Sequence, residues 1–256
     1  MIEPLLDSTE LVVVSRRSAD VAEEWPQVKT LQYVPKINLT RMGRIKIAVL
    51  MGLSAGIVNP KDRLVCVSAL PRLHHLDTIL VLDLGKEFEL LTTDNGANMV
   101  GLVRPEVFDG VLNLAVELAN QGREGKPVGT IFTLGDHEKV LQLSRQLIIN
   151  PFRGYPEEER NILDPNLRET IREFAAIDGA FVIRDDGVVM AAGRHLNAAL
   201  EEGELPHGLG SRHVAAAGIT AVTEAVAIAI SESNGTVRIF KHGSIFTEIE
   251  KAPYQG

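Results

Sequence analysis

The chain has 256 residues, 45% of them hydrophobic and 23% charged, enough for one large domain or two small ones with proper cores. Its formal net charge of −8 argues against nucleic acid as a partner, and no apolar run reaches the roughly 18 residues of a membrane span. The acid is unevenly placed: residues 1–104 carry 12 basic and 12 acidic side chains, residues 105–256 carry 14 and 22, so a polyanionic substrate would need a local basic pocket and a divalent cation.

The opening residues, MIEPLLDSTELVVVSRRS, lack the basic leader and clean apolar core of a signal peptide. A single cysteine, Cys66, excludes an intrachain disulfide and reads as a small core hydrophobe, so a cytoplasmic setting is expected. Trp25, before Pro26, reads as an anchoring aromatic at a domain edge. The segment INLTRMGRIKIAVLMGLSAGIV predicts a helix capped at Asn38 or Thr40. RLVCVSAL and LDTILVLDLG then predict two strands, expected in a small α/β unit with a covered parallel sheet. His74 and His75, between them, read as a loop pair, since no partner at metal-ligand spacing follows. The unit is expected to end near VRPE, residues 103–106.

A second α/β unit begins with the amphipathic helix EVFDGVLNLAVELANQG, stopped by Gly122. The strand PVGTIFTLGD and the helix HEKVLQLSRQLII come next. The following connector, NPFRGYPEEERNILDPN, carries three prolines, and its acidic run Glu157–Glu159 reads as a solvated face. The helix LRETIREFAAI leads into FVIR and VVMAA, a hairpin closed by Asp-Asp-Gly. A second hairpin joins AVAIAIS to TVRIFKHG across ESNG.

Between the hairpins stands GLGSRHVAAAGIT, residues 208–220, where two glycines, a hydroxyl, an arginine and a histidine meet at the start of a small-residue helix. The free N–H groups of a first helical turn and the helix dipole suit an anion. Gly208 and Gly210 let backbone approach a ligand. Ser211 suits a helix cap and an oxygen donor, Arg212 offers a forked donor for phosphate, and His213 adds a donor or a metal-binding nitrogen. These are the parts of a phosphate cradle, although the same residues also suit a capped helix with surface contacts. The pattern is neither a P-loop nor a dinucleotide fingerprint. In DGA, Asp178 is an ordinary turn residue by composition, but its place between the helix end EFAAI and an apolar strand puts a carboxylate at a sheet edge facing a pocket. A carboxylate beside a phosphate cradle suits Mg²⁺ or Mn²⁺ binding, or withdrawal of a proton from a sugar hydroxyl. Arg194 and His195 fit either a pocket mouth or a strand end.

The order DGA, then AAG-x-x-L, then G-S-R-H-x-A-A-x-G-I, then AIAIS-x-x-x-G resembles the DAC domain of diadenylate cyclases, which condense two ATP into cyclic di-AMP and two pyrophosphates. The resemblance runs from about GVLNLAVELA to KHG. The N-terminal third resembles the small α/β domain at the C-terminus of pyruvate kinase, on the pattern GIVNPKDRLVCVSA, an arrangement similar to archaeal-type diadenylate cyclases. Together these imply an α/β fold: a three-layer α/β domain over 1–104, then a DAC domain over 105–256 with a mixed central sheet flanked by helices.

Carried over by position, the resemblance implies that Asp178 binds Mn²⁺ or Mg²⁺ and activates the ribose 3′-hydroxyl, while Gly179 and Ala180 let the nucleotide approach. Gly210, Ser211, Arg212 and His213 would hold the triphosphate of ATP, with Arg212 and His213 counted as catalytic beside Asp178. The Leu196 region would contact adenine through backbone and apolar surface, and Ser231 would touch phosphate or ribose. Ser211 stands where threonine is commoner, and SESN replaces SEET, which leaves Glu232 only a candidate metal contact. Each 3′-hydroxyl must reach the other ATP's α-phosphate, so two chains are expected face to face, in a homo-oligomer of at least two. Two other readings use the same residues: a module that senses a nucleotide or cyclic di-AMP without making it, and a Ser211-based hydrolase, for which the G-x-S-x-G elbow is missing.

Overall fold

The computed structural model describes residues 10–15, 30–34, 39–69, 76–87, 103–122, 125–197 and 209–250. Trp25, His74, His75 and Gly208 lie outside them. The first part contains the parallel pair β1 (Val12–Ser15) and β2 (Thr30–Tyr33), helix α1 (Arg41–Ser54), strands β3 (Arg63–Ser68) and β4 (Thr78–Asp83), and a single turn, α2 (Leu84–Glu87). Thr40 caps α1, its Oγ1 accepting from Gly43 N at 2.9 Å, so one of the two capping candidates read from sequence takes the role.

Strands β3 and β4 pair antiparallel, which corrects the expectation of a covered parallel sheet there. Their connection, residues 69–77, is shorter than the dozen or so residues a parallel crossover needs. Alternation then gives the pair two unlike faces. Leu64, Cys66, Leu80 and Leu82 pack against Ile45 and Val49 of α1. Val65, Val67, Ile79 and Val81 point away and are exposed. Cys66 is half-buried, and burial raises its thiol pKa, as befits a packing residue rather than a nucleophile.

The second part is built on seven strands in the order β11-β10-β9-β5-β7-β8-β6. They are β5 (Ile131–Leu134), β6 (Ser144–Gln146), β7 (Ala180–Ile183), β8 (Val189–Leu196), β9 (Val226–Ile230), β10 (Val237–Lys241) and β11 (Ser244–Ile249). Only β5 and β7 run parallel, so the sheet is mixed. Helices flank it: α3 (Pro105–Gln121), α4 (His137–Gln142), α5 (Leu167–Ala175) and α6 (Ser211–Val222).

Strand alternation sends Phe132, Phe181, Ile183, Ile228 and Ile239 into a core with α3 and α5. The opposite face presents Ile131, Ala180, Val182, Ala227 and Ala229 to Ala216, Ala217 and Ile219 of α6. Alanines on both sides let α6 lie close to the sheet, which explains the small-residue helix seen in sequence. The first core also takes in Leu39, Ile47, Leu50 and Met51, so apolar packing is continuous across residue 104. Lys46 Nζ of α1 donates to the carbonyl of Glu248 in β11 at 2.9 Å.

Helix α4 is shorter than the sequence predicts, ending at Gln142 before β6. Arg194, opposite on β8, donates to Leu141 O at 2.7 Å and Ser144 O at 2.6 Å, and Ser144 Oγ donates to Val140 O at 2.6 Å. These contacts satisfy the carbonyls of the last turn and stop the helix. Arg194 is thus a structural strap, and His195 lies beside it on the outermost strand pair. The Asp-Asp-Gly turn between β7 and β8 forms as read, with Gly187 at φ 95°. A further hairpin, β10–β11, turns on His242 and Gly243, both at positive φ, as a two-residue type I′ turn demands. In the connector, Glu157–Glu159 are exposed as read, and Glu157 pairs at the surface with Arg184 at 2.9 Å. No helix among the described residues is long and apolar enough to cross a membrane.

Candidate active site

Asp178 stands just before β7, an interior strand, so it lies at a strand end and not at a lateral sheet edge. Its side chain is 81% exposed. Gly179 has φ +105°, and a Cβ there would sit 2.6 Å from the carbonyl carbon of Gly193. Both the backbone angle and the close approach of β8 require glycine. Ala180 is fully buried and pairs with Ile131 and Arg194.

Helix α6 begins close by. Its N-cap is Gly210 (φ −73°, ψ 166°), without a side-chain cap, and Ser211 is the first helical residue. Ser211 therefore does not cap the helix, which corrects the sequence reading; its exposed hydroxyl stays at the cleft wall. From the next position Arg212 reaches two carboxylates, with Nη1 2.8 Å from Glu232 Oε2 and Nη2 3.7 Å from Asp178 Oδ1. The guanidinium lies over Gly129, just before β5, where an added Cβ would be 2.7 Å from Nη1 and 2.9 Å from Glu232 Cβ.

Ser231 and Glu232 open a tight turn after β9. Gly235 N donates to Ser231 O at 2.9 Å, Ser231 N to Thr236 O at 2.9 Å, and the hydroxyls of Ser231 and Ser233 lie 3.1 Å apart. Between this turn and the start of α6 is a cleft of about 260 Å³, lined by Gly210, Ser211, Arg212, His213, Ser231, Glu232 and Arg238 among others.

His213 is 5% exposed, with its Nε2 3.1 Å from Arg238 Nη1. Burial, then the neighbouring cations Arg238 and Arg212, push its pKa down to about 4 against the opposing pull of Glu248, so the ring is neutral at neutral pH. The cleft accordingly brings two guanidiniums, a neutral imidazole and the Glu232 carboxylate together, with Asp178 beside Arg212 outside the lining. A triphosphate meets donors there, but also the negative charge of Asp178 and Glu232.

The structure thus gathers Gly210, Ser211, Arg212, His213 and Ser231 around one cleft and sets Asp178 beside Arg212. Leu196 is elsewhere: its side chain is 5% exposed and packs in the core between the sheet and α6, so its apolar surface is not offered to a ligand. Sequence reasoning passed over Gly129 and Arg238 and left Glu232 open. An arginine inside the apolar strand TVRIFK was the available signal for Arg238. Nothing in GTIF marks Gly129.

Residues 117–245 match the family described as "DisA bacterial checkpoint controller nucleotide-binding", and residues 1–92 match "Probable sensor domain DacZ_P". The chain is 37% identical over 207 residues to a diadenylate cyclase of Methanocaldococcus jannaschii, covering 80% of this chain and 66% of that protein. It is 42% identical over 150 residues to a diadenylate cyclase of Haloferax volcanii, covering 59% of this chain and 55% of that protein. The chain therefore spans less than two thirds of the length of these relatives. Among solved structures, a hypothetical membrane spanning protein from Bacillus cereus aligns at TM-score 0.45 and 16% identity, over 64% of this chain and 72% of that one. DacA from Staphylococcus aureus aligns at TM-score 0.37 and 20% identity, over 55% and 84%.

Proposed function

The chain belongs to the DAC, or DisA-type nucleotide-binding, family, and from that membership we propose that it is a diadenylate cyclase, condensing two ATP into cyclic di-AMP and two pyrophosphates. The observation that carries this reading is the placement of Arg212 between Asp178 and Glu232 at the lip of a cleft walled by a helix N-terminus. The cleft takes the triphosphate, with Ser211, His213 and Ser231 as donors and Arg212 as the cation that offsets charge on the departing pyrophosphate. Asp178, exposed and facing Arg212, accepts the proton of the ribose 3′-hydroxyl. Gly179 and Gly210 keep the backbone low where the nucleotide passes.

A divalent cation, Mn²⁺ or Mg²⁺, fits this donor set. Asp178 and Glu232 offer the hard carboxylate oxygens such ions take; no group of three His, Cys, Asp or Glu gathers among the described residues, and oxygens of the nucleotide phosphates and water would supply the other ligands. When bound, the ion neutralises phosphate charge and acidifies the attacking hydroxyl. Asp178 would be the residue that holds it, with Glu232, on the other side of the Arg212 guanidinium, a candidate second contact.

The 3′-oxygen attacks the α-phosphorus of the other ATP as the bond to pyrophosphate breaks, and the same step with roles exchanged closes the ring. One ATP per chain makes the active unit a face-to-face pair, so self-association is part of the mechanism. The N-terminal unit, residues 1–104, sets that assembly, and the protein works in the cytoplasm. Incubating pure protein with ATP and Mn²⁺ and weighing the product tests the reading. Cyclic di-AMP with pyrophosphate supports it; unchanged ATP on a protein that binds it leaves a sensor instead.

A further inference from the structure

Arg238 stands on β10, directly across the ladder from Glu248 on β11. Its Nε donates to Glu248 Oε2 at 2.8 Å, and its Nη1 reaches His213 Nε2 at 3.1 Å. A guanidinium has only donors, so in this contact Nε2 accepts. A neutral imidazole whose Nε2 accepts carries its proton on Nδ1. That Nδ1 is buried and has no hydrogen-bond partner, although the ring lines the cleft. A buried donor left unpaired is costly, and a ligand oxygen removes the cost.

We infer that Arg238 is a positioning residue: by donating to Nε2 it fixes His213 as the Nδ1–H tautomer and makes that N–H a preset donor for a triphosphate oxygen in the cleft. The choice of ligand rests on the function proposed above; the tautomer rests on the contact alone. Free neutral histidine favours the proton on Nε2, so the arrangement reverses the intrinsic preference and needs a device to hold it. The device is built into the sheet. Glu248 orients Arg238 across the β10–β11 pair, Phe240 lies against the imidazole with ring centroids 6.1 Å apart, and Lys46 Nζ ties the Glu248 carbonyl to α1. Arg212, the other cation near the ring, is already engaged by Glu232 and Asp178. The charged groups around His213 therefore leave Arg238 as its hydrogen-bonding partner.

The test is ¹⁵N NMR of the full chain, with His213 assigned through loss of its signals in His213→Gln. The expected spectrum at neutral pH has the protonated nitrogen at Nδ1. In Arg238→Met it shifts to Nε2, whereas Arg238→Lys, which retains a donor, keeps the Nδ1 pattern. Binding is read with 3′-deoxyATP, which lacks the attacking hydroxyl. Arg238→Met is expected to weaken it about tenfold and Arg238→Lys less than about threefold. A wild-type spectrum with the proton on Nε2, or an Arg238→Met variant that binds 3′-deoxyATP as the parent does, overturns the inference. If the wild type shows the Nδ1 proton but binds no 3′-deoxyATP, the triphosphate role is overturned together with the cyclase reading, and the tautomer assignment stands.

Discussion

Arg212 Nη2 lies 3.7 Å from Asp178 Oδ1, although one residue lies in the first turn of helix α6 and the other precedes strand β7. The same guanidinium bonds Glu232 at 2.8 Å on its other side. Two separate connections thus converge on one cation, and each group makes a distinct contribution that mutation can separate.

Removing the cation is expected to weaken nucleotide binding. Arg212→Ala is expected to cost about ten- to a hundredfold in 3′-deoxyATP affinity, as for a lost charge-assisted contact to phosphate. Glu232→Gln acts in the opposite sense when divalent ions are chelated, because it frees Arg212 and removes a negative charge. Exposed ion pairs are worth at most about 1 kcal/mol, so the gain is about two- to fivefold. Titration calorimetry with and without a chelator reads both effects.

Gly129→Ala tests how tightly the guanidinium is held. Its φ is not in the left-handed region, and the atoms nearest an added Cβ are Arg212 Nη1 at 2.7 Å, Glu232 Cβ at 2.9 Å and Arg212 Cζ at 3.2 Å. Arg212 can swing aside but Glu232 Cβ can yield only with its turn, so turnover should fall about ten- to a hundredfold, with a smaller loss of melting temperature than a clash with strand backbone brings. Unaltered turnover removes Gly129 from the positioning of Arg212.

Gly179→Ala has the contrary signature. The new Cβ meets backbone atoms of Gly193 and Arg194 at 2.6–2.8 Å and needs φ +105°. Strain of this kind costs about 3 kcal/mol or more, and thermal unfolding is expected several degrees lower.

Burial raises the pKa of Asp109, on α3, to about 7, with Glu106 adding to the shift and a Ser54 hydrogen bond opposing it. Its Oδ1 has no hydrogen-bond partner. Because the folded pKa lies above the ordinary carboxylate value, the folded state binds the proton more tightly than the unfolded chain. The stabilisation is complete below about pH 4 and is lost as pH rises through about 7. Asp109→Asn should therefore raise stability at pH 8, by on the order of 2 kcal/mol after allowance for partial exposure, and change little at pH 4. Melting curves of both proteins across pH 4–8 check the sign.

Much of this organisation is legible in the residues. Thr40 caps α1, Gly122 ends α3, and Asp186-Gly187 turns β7 into β8, because each acts through its own backbone neighbourhood. What escapes sequence reading depends on partners far along the chain. Helix α4 stops where Arg194 takes its carbonyls, and Gly210 caps α6 where the preference for hydroxyls points to Ser211. Gly129 matters only because Arg212 crosses it. The motif residues Asp178 and Arg212 are readable and Glu232 is a candidate; the supports Arg238 and Glu248 depend on β10 and β11 lying side by side.

The claim that a carboxylate and a guanidinium serve one nucleotide is tested most directly by Asp178→Asn in the full chain with Mn²⁺, measuring cyclic di-AMP formation and 3′-deoxyATP affinity on the same preparation. Formation of cyclic di-AMP is expected to drop by about a thousandfold or more while affinity stays within a few-fold of the parent. A variant that still makes cyclic di-AMP at close to the parent rate contradicts it.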